Sequence, residues 1–402
     1  MISELPQEVY DLVIDHLWDD KVSLAACSLT CRAWLPSSRT HIFRDIHLKS
    51  PSACFRFKNL LETSTIAPLV RKMAVQAYHF LHKHPALRDE DTMWESRIPT
   101  LLSLLPGLIE LEIACLSWST LRLTAAKESA FLSRLAHLKH LTLSDVHFET
   151  PAQVLSVLLA APGLETLRFD RVYCNSSLPC VSLESLVCRI PKACTPPPPP
   201  SSYAPIFPMS NAGGQALRNL TLRPASPPNF VIDWLLATGE VKLRNLNVHW
   251  RDRRNTTALC ALLSAAGPYL EHLYMELTNG VAVQVQDEMN FGLLTALRSV
   301  CFEGFVLPDC GTCFSAMISQ LSSPFLKRVK ISLLARWADD LRTLDWKQLD
   351  TALSRERFAG VEVTLHVNIA MSRANKGVDA RALVELSLPR FQKLGILQVR
   401  CT

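Results

Sequence analysis

A chain of 402 residues, 48% hydrophobic and 20% charged, has enough apolar material for a sizeable core, which excludes wholesale disorder. A net charge of +5 is too dilute for a nucleic-acid surface unless it clusters, and the one basic knot (Arg251, Arg253, Arg254) is interrupted by Asp252. Only 13 glycines argue against a sandwich or barrel built on tight turns.

The N-terminal stretch carries Glu4, Glu8 and Asp11 without a basic residue, and lacks the positive flank and apolar run of a secretory leader. No run of about 18 apolar residues suggests a membrane span. Thirteen cysteines, an odd number scattered through apolar segments, are expected to be reduced core residues of a cytoplasmic or nuclear protein. The triplets at Asn175, Asn219 and Asn255 match a glycosylation pattern that an unexported chain would not use.

Pro6 suits the first turn of a helix. Val9, Val13 and Leu17, with Tyr10 and Ile14, form an apolar stripe that ends at Asp19-Asp20. Ser23 is expected to cap a second helix, with Leu24, Cys27, Cys31 and Trp34 or Leu35 on one face, and Pro36 to close it. Ser37-Ser38 is expected to cap a short third helix that ends near Ile42-Phe43. So few residues in short helices cannot bury all of this apolar surface internally. Part of it is left for the rest of the chain, for another protein, or for both.

Leu5-Pro6-Gln7-Glu8-Val9, then Leu24-Ala25-Ala26-Cys27-Ser28-Leu29-Thr30-Cys31-Arg32-Ala33-Trp34, resembles the F-box, and Phe43 to Leu48 resembles the segment that leads from an F-box into its partner domain. The resemblance covers about a tenth of the chain. It implies docking to the Skp-type adaptor of a cullin–RING ubiquitin ligase. Leu5, Pro6, Ile14, Leu17, Leu24, Leu29 and Trp34 would then form the adaptor-facing surface or its support.

Downstream, a six-residue pattern, Leu-x-x-Leu-x-apolar, starts at Leu108, Leu138, Leu164, Leu183, Leu217, Leu243, Leu270, Leu297, Leu326, Phe358 and Leu394, with earlier candidates at Phe43 and Val70. The mean interval is about 29 residues. Between strand motifs lie helix signals closed by stops, as from Thr150-Pro151 to Pro162-Gly163, from Thr100 to Pro106-Gly107, and from Thr257 to Gly267-Pro268. Period and pattern resemble leucine-rich repeats, although the usual Asn or Cys just beyond the motif is missing. That place holds Leu116, Val146, Val172, Pro191, Ala225, Arg251, Thr278 and Phe305. The expected fold is therefore α/β: a short all-helical F-box over 1–45, then a leucine-rich-repeat-like solenoid over 46–402. A proline-rich loop is inserted at 191–214, with Pro196 to Pro200 at its centre.

Signs of chemistry are sparse. Cys310 and Cys313 have the spacing of a zinc half-site but lack a second pair, and His79, His82 and His84 near Asp89 and Asp91 lack consistent helical spacing. Phosphate loops, nucleophile elbows and His-Glu-x-x-His helices are missing, so no cofactor, metal or catalytic role is expected. The third, fifth and seventh motif positions should face the concave surface, basic in the middle of the array and acidic in the next third. Arg168, Arg189, Arg223, His249 and Tyr274 are the candidate contacts for a protein target. The expected function is a non-enzymatic substrate receptor, and the alternative is a repeat scaffold that binds proteins without ubiquitin machinery.

Overall fold

The computed structural model describes residues 6–77, 91–174, 216–223, 229–251, 253, 256–307, 313–370, 379–393 and 396–401. By compactness the chain divides into two units, Met1–Leu164 with Arg171–Gly213, and Glu165–Asp170 with Gly214–Thr402. Each is mixed α/β, with parallel strands and helices alternating along the chain. Among the described residues no helix is long and apolar enough to cross a membrane.

The first unit opens with three helices, α1 (Gln7–Asp15), α2 (Lys21–Thr30) and α3 (Leu35–Arg44). The start of α2 is set by Asp20 rather than Ser23. The Asp20 carboxylate accepts from the Val22 and Ser23 amides at 3.1 Å each, and the Ser23 hydroxyl donates to it at 2.6 Å. Cys31 is extended, so α2 stops at Thr30, and Cys31 and Trp34 do not prolong its face. Pro36 falls in the first turn of α3, where its missing N–H costs nothing. It opens the third helix instead of closing the second, and the Ser37-Ser38 cap is not used.

Strands β1 (Asp45–Leu48), β2 (Lys72–Gln76), β3 (Glu110–Ala114) and β4 (His140–Ser144) follow in parallel. Ile46 stands opposite Met73, Met73 opposite Leu111, and Leu111 opposite Leu141. The motifs beginning at Phe43 and Val70 are thus rungs in register with the later ones. Parallel neighbours need a long crossover, and helices at Pro51–Thr63, Ile98–Ser103 and Ala125–Arg134 lie in these connections. The helix expected after Thr150 runs Pro151–Leu159. Gln153 Oε1 covers its entry, accepting from the Glu149 amide at 2.9 Å and the Thr150 amide at 3.4 Å. A two-residue pair, β5 (His147–Phe148) with β7 (Tyr173–Cys174), completes the strands of this unit.

The second unit contains β6 (Thr166–Asp170), β8 (Asn219–Arg223), β9 (Asn245–Trp250), β10 (His272–Leu277), β11 (Ser299–Val306), β12 (Arg328–Ala335), β13 (Glu362–Ile369) and β14 (Ile396–Cys401). Each is parallel to the next, and the fourth motif positions line up: Leu167, Leu220, Leu246, Leu273, Val300 and Val329. These residues are buried, as are the sixth-position residues beside them. Alternation along a strand leaves the third, fifth and seventh positions on the open face.

Two motif assignments need correction. Leu183 lies outside the described residues, and β6 pairs directly with β8, so no rung forms between them. At Phe358 the register is two residues late: Val363, not Val361, stands opposite Val329. Phe358 is instead spent in a short turn, Glu356–Phe358, and is fully buried there. The proline-rich segment 191–214 lies outside the described residues, as do Cys310, His79, His82 and His84.

The missing Asn or Cys is explained by what fills its place. Leu116, Val146, Val172 and Phe305 are buried, so apolar packing occupies that corner. Just before it the chain turns through left-handed backbone at Cys115 (φ 56°), Asp145 (φ 53°), Arg171 (φ 53°) and Gly304 (φ 87°). Non-glycine residues pay a steric cost for this conformation. Arg171 and Asp145 form a bidentate pair at 2.7 and 2.6 Å. Cys54, Cys260 and Cys313 are core residues as expected, while Cys31 and Cys401 are exposed.

Candidate functional site

Two surfaces have the character of binding sites. The first is on the N-terminal helices. α1 is held to α3 and the turn before it by a polar stripe at helical spacing: Gln7 Nε2 donates to the Ala33 carbonyl at 2.9 Å, the Ser37 hydroxyl donates to Asp11, and His41 Nε2 lies 2.7 Å from Asp15. Tyr10 packs on Trp34 with ring centroids 6.1 Å apart. Because a polar edge makes the attachment, Val9 and Val13 of the apolar stripe are left facing water while Ile14 is buried. Val9, Leu12, Val13, Trp18, Val22 and Leu29 are exposed, Trp18 to 64% and Leu29 to 87%. These are six of the eighteen large apolar side chains exposed among the described residues, gathered within residues 9–29. That concentration is denser than ordinary scatter and makes this a candidate surface.

The sequence-predicted residues divide accordingly. Ile14 and Leu24 are fully buried and support the helices from within. Pro6 and Leu29 are exposed, Leu17 and Trp34 are half-buried, and Leu5 lies outside the described residues. Leu12, Trp18 and Val22 belong to the exposed set and escaped sequence reasoning. The polar Gln7, Asp11, Asp15 spacing was the signal that α1 turns a different face inward.

The second surface is the open face of β6 and β8–β10. Arg168 lies 3.5 Å from Asp170, and Arg223 stands opposite Asp170 in register. His249 Nδ1 is 2.5 Å from Glu276, which also meets Arg251 at 3.3 Å. The His249 and Tyr274 rings are 5.2 Å apart. The Tyr274 hydroxyl donates to Glu303 at 2.7 Å, and Lys330 Nζ reaches the same carboxylate at 2.8 Å. Arg168, Arg223, His249 and Tyr274 are therefore brought together, whereas Arg189 lies outside the described residues. The expected split into a basic middle and an acidic neighbour dissolves, because carboxylates on one strand pair with cations on the next.

Burial shifts these groups. It lowers the His249 proton affinity below the ordinary value, against the pull of Glu276. Burial also raises the Tyr274 hydroxyl, reinforced by Glu303. For Glu303 burial pushes up, but hydrogen bonds from Lys330 and Tyr274 prevail and hold the carboxyl below its usual range. Beside this network runs a ladder that sequence reasoning missed: Asn245 donates to Asn219, Asn219 Nδ2 donates to Thr166 at 3.0 Å, and His272 bonds Ser299 at 2.7 Å. Its asparagines occupy third motif positions, where the same alternation rule would have found them. Together these side chains offer hydrogen bonding of both senses and no nucleophile–base pairing.

No protein-family model matches the chain, and no curated protein matches it. The functional reading therefore rests on the residues themselves.

Proposed function

We propose that the chain is a substrate receptor of a cullin–RING ubiquitin ligase, in which an F-box formed by α1–α3 docks a Skp-type adaptor. The downstream strands and helices act as a leucine-rich-repeat-like solenoid that holds a protein target. The observation that carries the reading is the exposed apolar set within residues 9–29, beside a polar stripe that joins α1 to α3 and the turn before it. An apolar helical face of this kind seeks a groove on a partner. The F-box-like residues supply the support beneath it, through Ile14 and Leu24. Such a receptor acts by proximity, raising the local concentration of target lysines near the conjugating enzyme. It works without a catalytic residue of its own, in the cytoplasm or nucleus.

Co-purification with the adaptor tests this, comparing the intact chain with one lacking residues 1–45 and with Pro6 and Trp34 replacements. Capture by the intact chain that is lost in the others is expected. Failure of the intact chain to bind leaves the protein-binding scaffold instead.

A further inference from the structure

The open face of β8–β11 holds a cavity of about 220 Å³. One wall is made by third motif positions, among them Asn245, His272 and Ser299, and the other by the fifth positions Thr221, Tyr274 and Cys301. The floor is main chain, because Leu220, Leu246 and Leu273 turn their side chains into the core. At about 30 Å³ for a water-sized group the space admits roughly seven, the bulk of one large side chain. It falls short of the roughly 300–1,000 Å³ of cofactor-sized sites.

The walls define which side chain. Hydrogen bonds along the third-position row run from Asn245 to Asn219 and on to Thr166, and separately join His272 to Ser299. The row is broken between β9 and β10, where the cavity lies. Asn245 spends its amide N–H on Asn219, while its Oδ1 meets no donor among the described residues. Asn245 is exposed and lines the cavity, so this acceptor is open to an incoming group. Opposite it the wall is largely apolar. Tyr274 has committed its hydroxyl to Glu303 and lends its ring. Burial pushes the Cys301 thiol up to about 12, which keeps it uncharged. Charged neighbours are paired with one another, Arg244 and Arg298 with Glu271, and Lys330 with Glu303. A phosphate or carboxylate here would lose its water without meeting a free cation, and an ammonium would find those carboxylates already held. What fits is an uncharged side chain with an aromatic body and a hydroxyl donor at its tip.

We infer that the cavity receives an unphosphorylated tyrosine side chain of the target polypeptide. The ring packs against Tyr274 and Cys301, and the hydroxyl donates to Asn245 Oδ1. Asn245 and Tyr274 stand on the diagonal between neighbouring strands, His272 being opposite Asn245. Strand spacing puts them about 8 Å apart, a span that a phenol ring with its hydroxyl bridges. The inference rests on the reading that this face holds the target, and adds the side chain that is read there.

The test follows saturation transfer from the intact chain to small probes, a nuclear magnetic resonance measurement suited to weak ligands. The N-acetyl amides of tyrosine, phenylalanine, phosphotyrosine, glutamine and lysine are titrated separately. Tyrosine is expected to saturate and to bind about fivefold more tightly than phenylalanine, the worth of one hydrogen bond. Phosphotyrosine, glutamine and lysine should be weaker than either. Asn245→Leu, an exposed substitution that removes the acceptor, should bring tyrosine down to the level of phenylalanine. Phosphotyrosine, glutamine or lysine binding as well as tyrosine overturns the inference, as does the absence of a saturable signal from any probe. Phenylalanine equal to tyrosine in the parent, or a tyrosine advantage that survives Asn245→Leu, overturns the assignment of the hydroxyl to Asn245. The probe comparison uses the unaltered protein, so it stands even where Asn245→Leu folds poorly. It is also independent of adaptor capture, so a failed ligase reading and a failed tyrosine site give different results.

Discussion

Leu24 and Leu29 lie one and a half turns apart on α2, and their substitution separates folding from docking. Leu24 is fully buried, whereas Leu29 is 87% exposed. Leu24→Ala removes packed methyl groups from the buried side of α2, which lies against α3, and should cost about 2–5 kcal/mol. Leu29→Ala removes atoms that touch mostly water, so its effect on stability should stay within about 0.5 kcal/mol. Against the adaptor the order reverses in mechanism. If docking covers Leu29 fully, its loss should cost about 1.5–3 kcal/mol of binding, roughly 10- to 150-fold in affinity. Hydrogen exchange of the α1–α3 amides reports local stability, and titration with the purified adaptor reports docking. Leu24→Ala should speed exchange throughout the three helices, while Leu29→Ala should leave exchange unchanged and weaken only adaptor binding. Unchanged binding in Leu29→Ala, or exchange accelerated as much as in Leu24→Ala, would refute the claim that this side chain is held free for a partner.

Gly304→Ala should destabilise the second unit by about 2–5 kcal/mol, read as a lowered unfolding midpoint. Its φ is 87°, the added Cβ would meet the Leu277 carbonyl at 2.5 Å, and the β11–β12 register already shifts between Phe302 and Phe305. Glu303 makes stability depend on pH. Its folded-state proton affinity is depressed, so its contribution is present above the ordinary carboxylate value and is lost as pH falls through the folded one. Glu303→Gln should therefore be less stable than the parent at neutral pH, with the gap closing as denaturation is repeated below about pH 4. A gap that persists in acid would show that the carboxylate charge is not what Lys330 and Tyr274 hold.

Much of the architecture was legible because it is periodic. The spacing of Leu108, Leu138, Leu243 and Leu270 fixes which residues turn inward, and a period-2 strand leaves little freedom in choosing the face. The helix after Thr150 was equally plain, since its cap, apolar run and Pro-Gly stop agree. Boundaries decided by competing caps were not legible. Asp20 and Ser23 are both good caps, and only the geometry shows the Ser23 hydroxyl donating to Asp20 while the carboxylate takes the amides. Pro36 is equally ambiguous, because the same ring can close one helix or open the next.

The binding surfaces divide along the same line. Composition and periodicity already require that residues 9–29 carry more apolar surface than short helices can hide, and that Arg168, Arg223, His249 and Tyr274 share one face. Only the packing of the helices leaves Val9, Leu12 and Val13 bare while Ile14 is buried, because the bonds of Gln7 to the Ala33 carbonyl and of Asp11 and Asp15 to Ser37 and His41 of α3 set the rotation of α1. Tertiary structure likewise decided that His249 spends one nitrogen on Glu276 and leaves the other unpaired beside Arg223. Periodicity tells which way a side chain points. Which atoms are satisfied depends on the neighbouring strands, some 26 or 27 residues away in sequence.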